Sequence, residues 1–154
     1  MLDESRRIRN QIRRSYHGPA WHGPCLKEAL SGVTHTHALL HPLPAAHSIW
    51  ELVLHLTSWM ETVRRRVRGE FLEVADGADW PPVNMATEQQ WQSAIAALEK
   101  AECGLEEASG HLTDVALADF VPGCNYTNYF MLMGVIQHNV YHAGQIMLLR
   151  RAVR

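Results

Sequence analysis

The chain has 154 residues, with 14 lysines and arginines against 16 aspartates and glutamates and a formal net charge of −2. At 47% hydrophobic and 19% charged, it can bury a full core without disulfide or metal staples, and its composition excludes intrinsic disorder. No run approaches the roughly 18 apolar residues of a membrane span, and a balance this near neutrality argues against a nucleic-acid-binding domain.

The opening stretch Met1-Leu2-Asp3-Glu4-Ser5-Arg6-Arg7 has no apolar signal core. Three cysteines (Cys25, Cys103, Cys124) show no CxxC spacing, as expected of free thiols in a reducing compartment. A cytoplasmic protein is therefore expected, without a thiolate zinc site.

Asp3 is placed to cap a first helix carrying Ile8, Ile12 and Tyr16, which breaks at Gly18-Pro19. After Trp21, Gly23-Pro24 starts a second short helical piece with Leu26, Ala29, Leu30 and Val33. Residues 34–47 read as a connector rich in histidine and proline. His37 and His41 within it are four apart and compete as a metal site. Pro42 pushes His41 from helical angles and Pro44 stops any helix, so surface histidines are the preferred reading.

Ser48 and Glu51 form a capping box that opens a helix to about Arg68, with Ile49, Leu52, Val53, Leu56, Met60, Val63 and Val67 as its apolar stripe. His55 lies beside that stripe and faces inward or onto a helix seam. Gly69 ends the helix, and Asp76-Gly77-Ala78-Asp79-Trp80-Pro81-Pro82 is a loop. Thr87 with Gln90 reads as a further capping box for a helix carrying Trp91, Ile95, Leu98 and Leu105, which Gly110 closes. A loop with Pro122-Gly123-Cys124-Asn125 leads to a last helix from Thr127 or Asn128 to Arg151, apolar almost all round.

Four long helical stretches without strand alternation or repeats imply an all-α, up-and-down-type bundle with at least one long crossover connection. So apolar a last helix has surface to spare for a second subunit, and a homodimer is expected. The arginines group as Arg6, Arg7, Arg9, Arg13 and Arg14; as Arg64, Arg65, Arg66 and Arg68; and as Arg150, Arg151 and Arg154. The last two groups read as solvated helix C-termini, where cations favour the dipole.

The densest chemistry lies in Gln137-His138-Asn139-Val140-Tyr141-His142-Ala143-Gly144-Gln145. Four residues advance a helix by about one turn and about 6 Å, so His138 and His142 point the same way. Ten histidines in 154 residues supply about 0.6 such pairs by chance, so the pair alone is a weak signal. A third histidine on another helix strengthens it, because bundle cores assemble metal sites from facing helices. His55, His138 and His142 would offer three neutral nitrogens and leave open positions, the layout of a catalytic rather than a closed site. Zinc or nickel suits that set, with iron a further option.

Gln145, a turn beyond His142, would support the site or touch a bound ligand, and Trp59 and Tyr141 complete the expected pocket wall. Glu51, four before His55, could orient it, although its capping role is the simpler account. Asn139 stands where the HExxH of metalloproteases has its glutamate, which argues against peptide hydrolysis. No separate general base is visible. Cys124 lies just before the last helix, whose N-terminus could lower its pKa, but a buried or incidental thiol is the preferred reading.

The stretches His47-Ser48-Ile49-Trp50-Glu51-Leu52-Val53-Leu54-His55-Leu56 and His138-Asn139-Val140-Tyr141-His142-Ala143-Gly144-Gln145-Ile146 resemble the DinB-like family of damage-inducible bacterial proteins in order, separation and helical placement. The resemblance spans essentially the whole chain. It implies a four-helix bundle, usually a homodimer, with a divalent metal on His55, His138 and His142. It also implies either thiol-dependent transfer or isomerisation with mycothiol, bacillithiol or glutathione, or metal-dependent hydrolysis, on a small-molecule substrate. The non-enzymatic alternative is a bundle whose metal only stabilises the fold or a dimer.

Overall fold

The computed structural model describes residues 3–75 and 77–153, and the described residues form helices and no strands. Readings that involve Met1, Leu2, Asp76 and Arg154 fall outside them. The helices are α1 (Glu4–His17), α2 (Leu26–Leu30), α3 (His35–Ala38), α4 (Ile49–Val67), α5 (Glu88–Gly110) and α6 (Asn128–Ala152), with a 3₁₀ turn at Ala116–Ala118. None of the described helices is long and apolar enough to cross a membrane.

Each long helix starts on a side-chain cap. Asp3 accepts the Arg6 N–H at 2.8 Å, Ser48 that of Glu51 at 3.2 Å, Thr87 that of Gln90 at 3.2 Å and Thr127 that of Phe130 at 3.3 Å. Ser48 and Glu51 complete a capping box, with the Glu51 carboxylate accepting the Ser48 N–H at 2.7 Å. The expected box at Thr87 is only half formed, since no bond returns from the Gln90 side chain.

Two further boundaries differ from expectation. Helix α2 ends at Leu30, because Gly32 adopts φ +74° and excludes Val33 from the helix. The connector 34–47 holds one helical turn, α3, capped by Thr34, before Pro42 and Pro44 take over.

Helix α4 packs against α5 and α6, and α1 packs against the same two helices, so the four long helices close a cycle of contacts. Ile12, Leu26, Val53, Leu56, Met60, Leu98, Leu105, Leu132 and Ile146 lie fully buried between them. Trp91 of α5 and Trp50 of α4 meet tilted at 5.2 Å, and the Trp91 indole donates to the Val33 carbonyl at 3.1 Å.

Glu102 is the one charged residue with no exposed surface among those described. Its Oε2 pairs with His17 Nε2 at 3.0 Å, while Oε1 has no partner. Cys103, exposed, lies close enough to complete a nitrogen, oxygen and sulfur cluster. Burial holds the Glu102 carboxyl above the usual carboxylate range, against the pull of His17. A raised folded-state pKa gives stability that is present in acid and lost as pH rises through the raised value. Glu102→Gln cannot ionise. Its melting temperature is expected to gain on the wild type as pH rises from about 4.5 to about 8, and a gap that shrinks instead would refute this account.

Candidate metal centre

Capping by Ser48 and Glu51 fixes the start of α4 and so sets His55 two turns in, on the side facing α6. On α6, His138 and His142 occupy successive turns of one face. Asn139 between them points the other way. It is fully buried and donates to Ser15 Oγ at 3.0 Å, which pins α6 against α1.

The three imidazoles converge through their Nε2 atoms. His55 Nε2 is 2.9 Å and His142 Nε2 3.0 Å from His138 Nε2, and candidate ligand atoms of the trio lie within 4.8 Å of one another. His55 and His142 are each 5% exposed, and His138 is half-buried.

The outer nitrogens decide the protonation. His55 Nδ1 lies 2.6 Å from the Asp79 carbonyl, an acceptor only, so Nδ1 must carry the hydrogen and Nε2 a lone pair. His142 Nδ1 donates to Gln145 Oε1 at 2.6 Å, which leaves its Nε2 bare as well. A proton on His138 Nε2 can serve only one of these neighbours. At least one Nε2 lone pair is therefore left without a donor about 3 Å from its neighbour, which hydrogen bonding within a neutral cluster cannot resolve.

Protonation does not offer an easy way out. Burial and the neighbouring His142 and His55 push His138 from 6.5 down to about 4, and burial lowers His142 also. A cation of the size and preference of a first-row divalent metal is the partner these three neutral nitrogens fit.

The 70–82 loop supports the centre in a way its sequence did not announce. Helix α4 presents three donors to it at i, i+3 and i+4 spacing. His55 reaches the Asp79 carbonyl, Ser58 Oγ the Ala78 carbonyl at 2.6 Å, and Trp59 Nε1 the Asp79 carboxylate at 2.7 Å. Trp80 then lies stacked between two imidazoles, 3.9 Å from His55 and 3.5 Å from His47. The only hint in the sequence was a tryptophan fixed by two following prolines.

Cavities flank the trio on both sides. One of 440 Å³ is bounded by His55 and His138 and includes Trp59, Asp79 and Arg66 in its wall. The other, of 360 Å³, lies beside His142 and includes His47, Trp80, Tyr141 and Gln145. The three side chains expected to line one pocket wall are thus divided, Trp59 on one side of the histidines and Tyr141 with Gln145 on the other.

Other expectations change. Glu51 does not orient His55; its carboxylate is taken by the Ser48 amide and by His41 at 3.0 Å, and Asp79 does the orienting. His41 is consequently tied to α4, and the pair with His37 forms no ligand cluster among the described residues. Arg66, read as part of a solvated helix end, is only 8% exposed. Cys124 lies part-buried against the core and is not part of either cavity wall.

An all-helical protein with a three-histidine group on two facing helices falls in the class of helical proteins whose core could hold a metal ion. The family model described as the DinB superfamily matches residues 25–146, and the chain belongs to that superfamily. No curated protein and no solved structure matches it.

Proposed function

We propose that the protein is a divalent-metal-dependent enzyme of thiol-transferase or hydrolase type, with the ion on Nε2 of His55, His138 and His142. The observation that carries this reading is the convergence of three Nε2 atoms beside a cavity, with too few protons among them to pair every lone pair. Zinc or nickel suits three imidazoles best, and iron is compatible. When bound, such an ion acts as a Lewis acid that lowers the pKa of a coordinated water or thiol toward neutrality.

The chain's own residues do the rest. Asp79 and Gln145 hold His55 and His142 in the tautomer that offers Nε2. Trp80 covers the buried face of His55 and keeps water from it. Asp79 is the one carboxylate among the described residues of the larger cavity's wall, and Trp59 positions it to accept a proton there. Asn139, turned toward Ser15, cannot serve as the base that the HExxH arrangement uses, which disfavours peptide hydrolysis of the metalloprotease kind. The rival reading, a purely structural metal, predicts a closed site; the cavity beside half-buried His138 supports an open one.

The deciding experiment is elemental analysis of untagged protein, wild type beside His142→Ala, purified without a nickel column. About one metal per chain, lost in the variant, would support the centre and justify assays of thiol transfer to electrophiles. No metal in either, and no change in melting temperature with added zinc or nickel, would refute it.

The homodimer belongs to the same proposal. Phe130, Tyr141 and Leu148 of α6 are 65%, 63% and 62% exposed and are spaced at 11 and 7 residues, one face of the helix. Tyr141→Glu with Leu148→Glu is expected to convert a dimer to a monomer in sedimentation equilibrium. An unchanged mass would exclude this face as the interface.

A further inference from the structure

Arg66 stands at the far end of the 440 Å³ cavity from the histidines. It shares a stripe of α4 with His55, Trp59 and Val63, since eleven residues make three turns and about 16 Å of helix. The residue is 8% exposed, so its charge is nearly removed from water. Among the described residues its guanidinium donates only to neutral oxygens, from Nη1 to Tyr126 Oη and from Nη2 to the Leu72 carbonyl, both at 2.8 Å. Nε has no partner, and no described carboxylate lies within ion-pairing distance. A buried cation without a counter-ion is costly, and here it borders a cavity large enough for a small molecule.

We infer that this cavity takes an elongated, mainly apolar molecule carrying one anionic group, with the anion on Arg66 and the reactive end at the three histidines. The wall between the ends is apolar, supplied by Val63, Met131 and Val135. Asp79, the only carboxylate among the described residues of the wall, stands beside His55 and repels an anion from that end of the cavity. Tyr126 is the neutral donor positioned beside Arg66 to share the anion. Gly134 widens the channel: a Cβ added there would meet no atom within 4 Å. A mid-helix glycine that nothing crowds lowers helix stability relative to alanine and leaves space for a ligand.

The inference rests on reading this cavity as the substrate site, but anion binding does not need the metal, so the two can fail separately. The test is calorimetric titration of metal-loaded and chelator-stripped protein with octanoate, octan-1-ol and octylamine. The wild type is expected to prefer octanoate over both by roughly ten- to a hundredfold in either state. Arg66→Gln is expected to erase that preference and Arg66→Lys to keep part of it. Gly134→Leu should abolish binding of octanoate and octan-1-ol while leaving the metal content intact and the melting temperature no lower than the wild type's. Because Arg66 also holds the Leu72 carbonyl, Arg66→Gln could misfold; the stripped wild type and Gly134→Leu then decide. Equal binding of the three probes, no binding of octanoate, a preference seen only with metal present, or one that survives in folded Arg66→Gln would each overturn the inference. Preference for octanoate in a protein that takes up no metal would uphold it and sink the metal centre instead.

Discussion

Replacing His138 by alanine is expected to weaken divalent-metal binding by about a hundredfold or more while leaving the metal-free protein as stable as the wild type, or more so. Loss of a supporting residue around a metal typically costs 10–100-fold, and loss of a direct ligand costs at least the upper end of that range. The effect on the metal-free protein has the opposite sign from an ordinary core truncation. His138 is the middle member of the trio, at 2.9 and 3.0 Å from its neighbours, and its removal abolishes both close nitrogen–nitrogen contacts. The space it vacates joins a cavity already open beside it, so no dry void is created.

Thermal melts with and without zinc check both halves. The wild type should gain stability with zinc and the variant should not. A metal-free variant melting far below the wild type would mean the histidines form a satisfied core cluster instead.

The same residue sets a pH dependence. Its folded-state pKa, about 4, lies below the ordinary 6.5, so between these values the unfolded chain binds a proton that the folded one refuses. Stability is therefore full above about 6.5 and is lost progressively as pH falls toward about 4. Melting temperature followed from neutral to acid pH should fall more steeply in the metal-free wild type than in His138→Ala. Parallel curves would remove the trio as the source.

Trp91→Ala should have the largest effect on the fold itself. The ring is 1% exposed, packs against Trp50 and donates to the Val33 carbonyl. Truncating a buried tryptophan costs about 3–5 kcal/mol, and losing its hydrogen bond adds to the desolvation of Val33. Against a total stability of about 5–15 kcal/mol this leaves little reserve. The expected fall in melting temperature is roughly 6–20 °C for a domain of this size. Trp91→Phe, which keeps most of the buried area, should lose only a minor part. Because Trp50 lies on α4 five residues before His55, metal affinity in Trp91→Ala should weaken as the fold loosens. A variant that melts within a degree or two of the wild type would show that the Trp50–Trp91 contact is not a principal anchor of α4 on α5.

Much of this architecture is legible in the sequence. Caps at Asp3, Ser48, Thr87 and Thr127 and the apolar spacing between them located the long helices, because capping and amphipathic period are local properties that a single segment expresses alone. Asp3, Ser48 and Thr127 stand one residue before the helices they open, as expected. The histidine trio was legible for the same reason: His138 and His142 share a face by helix geometry, and His55 was left inward-facing by its own stripe.

What sequence could not supply were partners joined by chain reversal. Nothing local says that the Asp79 carbonyl meets His55 rather than solvent, or that Trp80 slips between His55 and His47. A backbone carbonyl leaves no trace in the residue type that carries it. Arg66 is the clearest case. At a helix end within an arginine-rich run it looks like a solvated cation, and only the return of the chain through Leu72 and Tyr126 buries it. Periodicity determined which side chains face inward along each helix; tertiary packing alone decided which of them face one another across a cavity, because that depends on how distant segments meet.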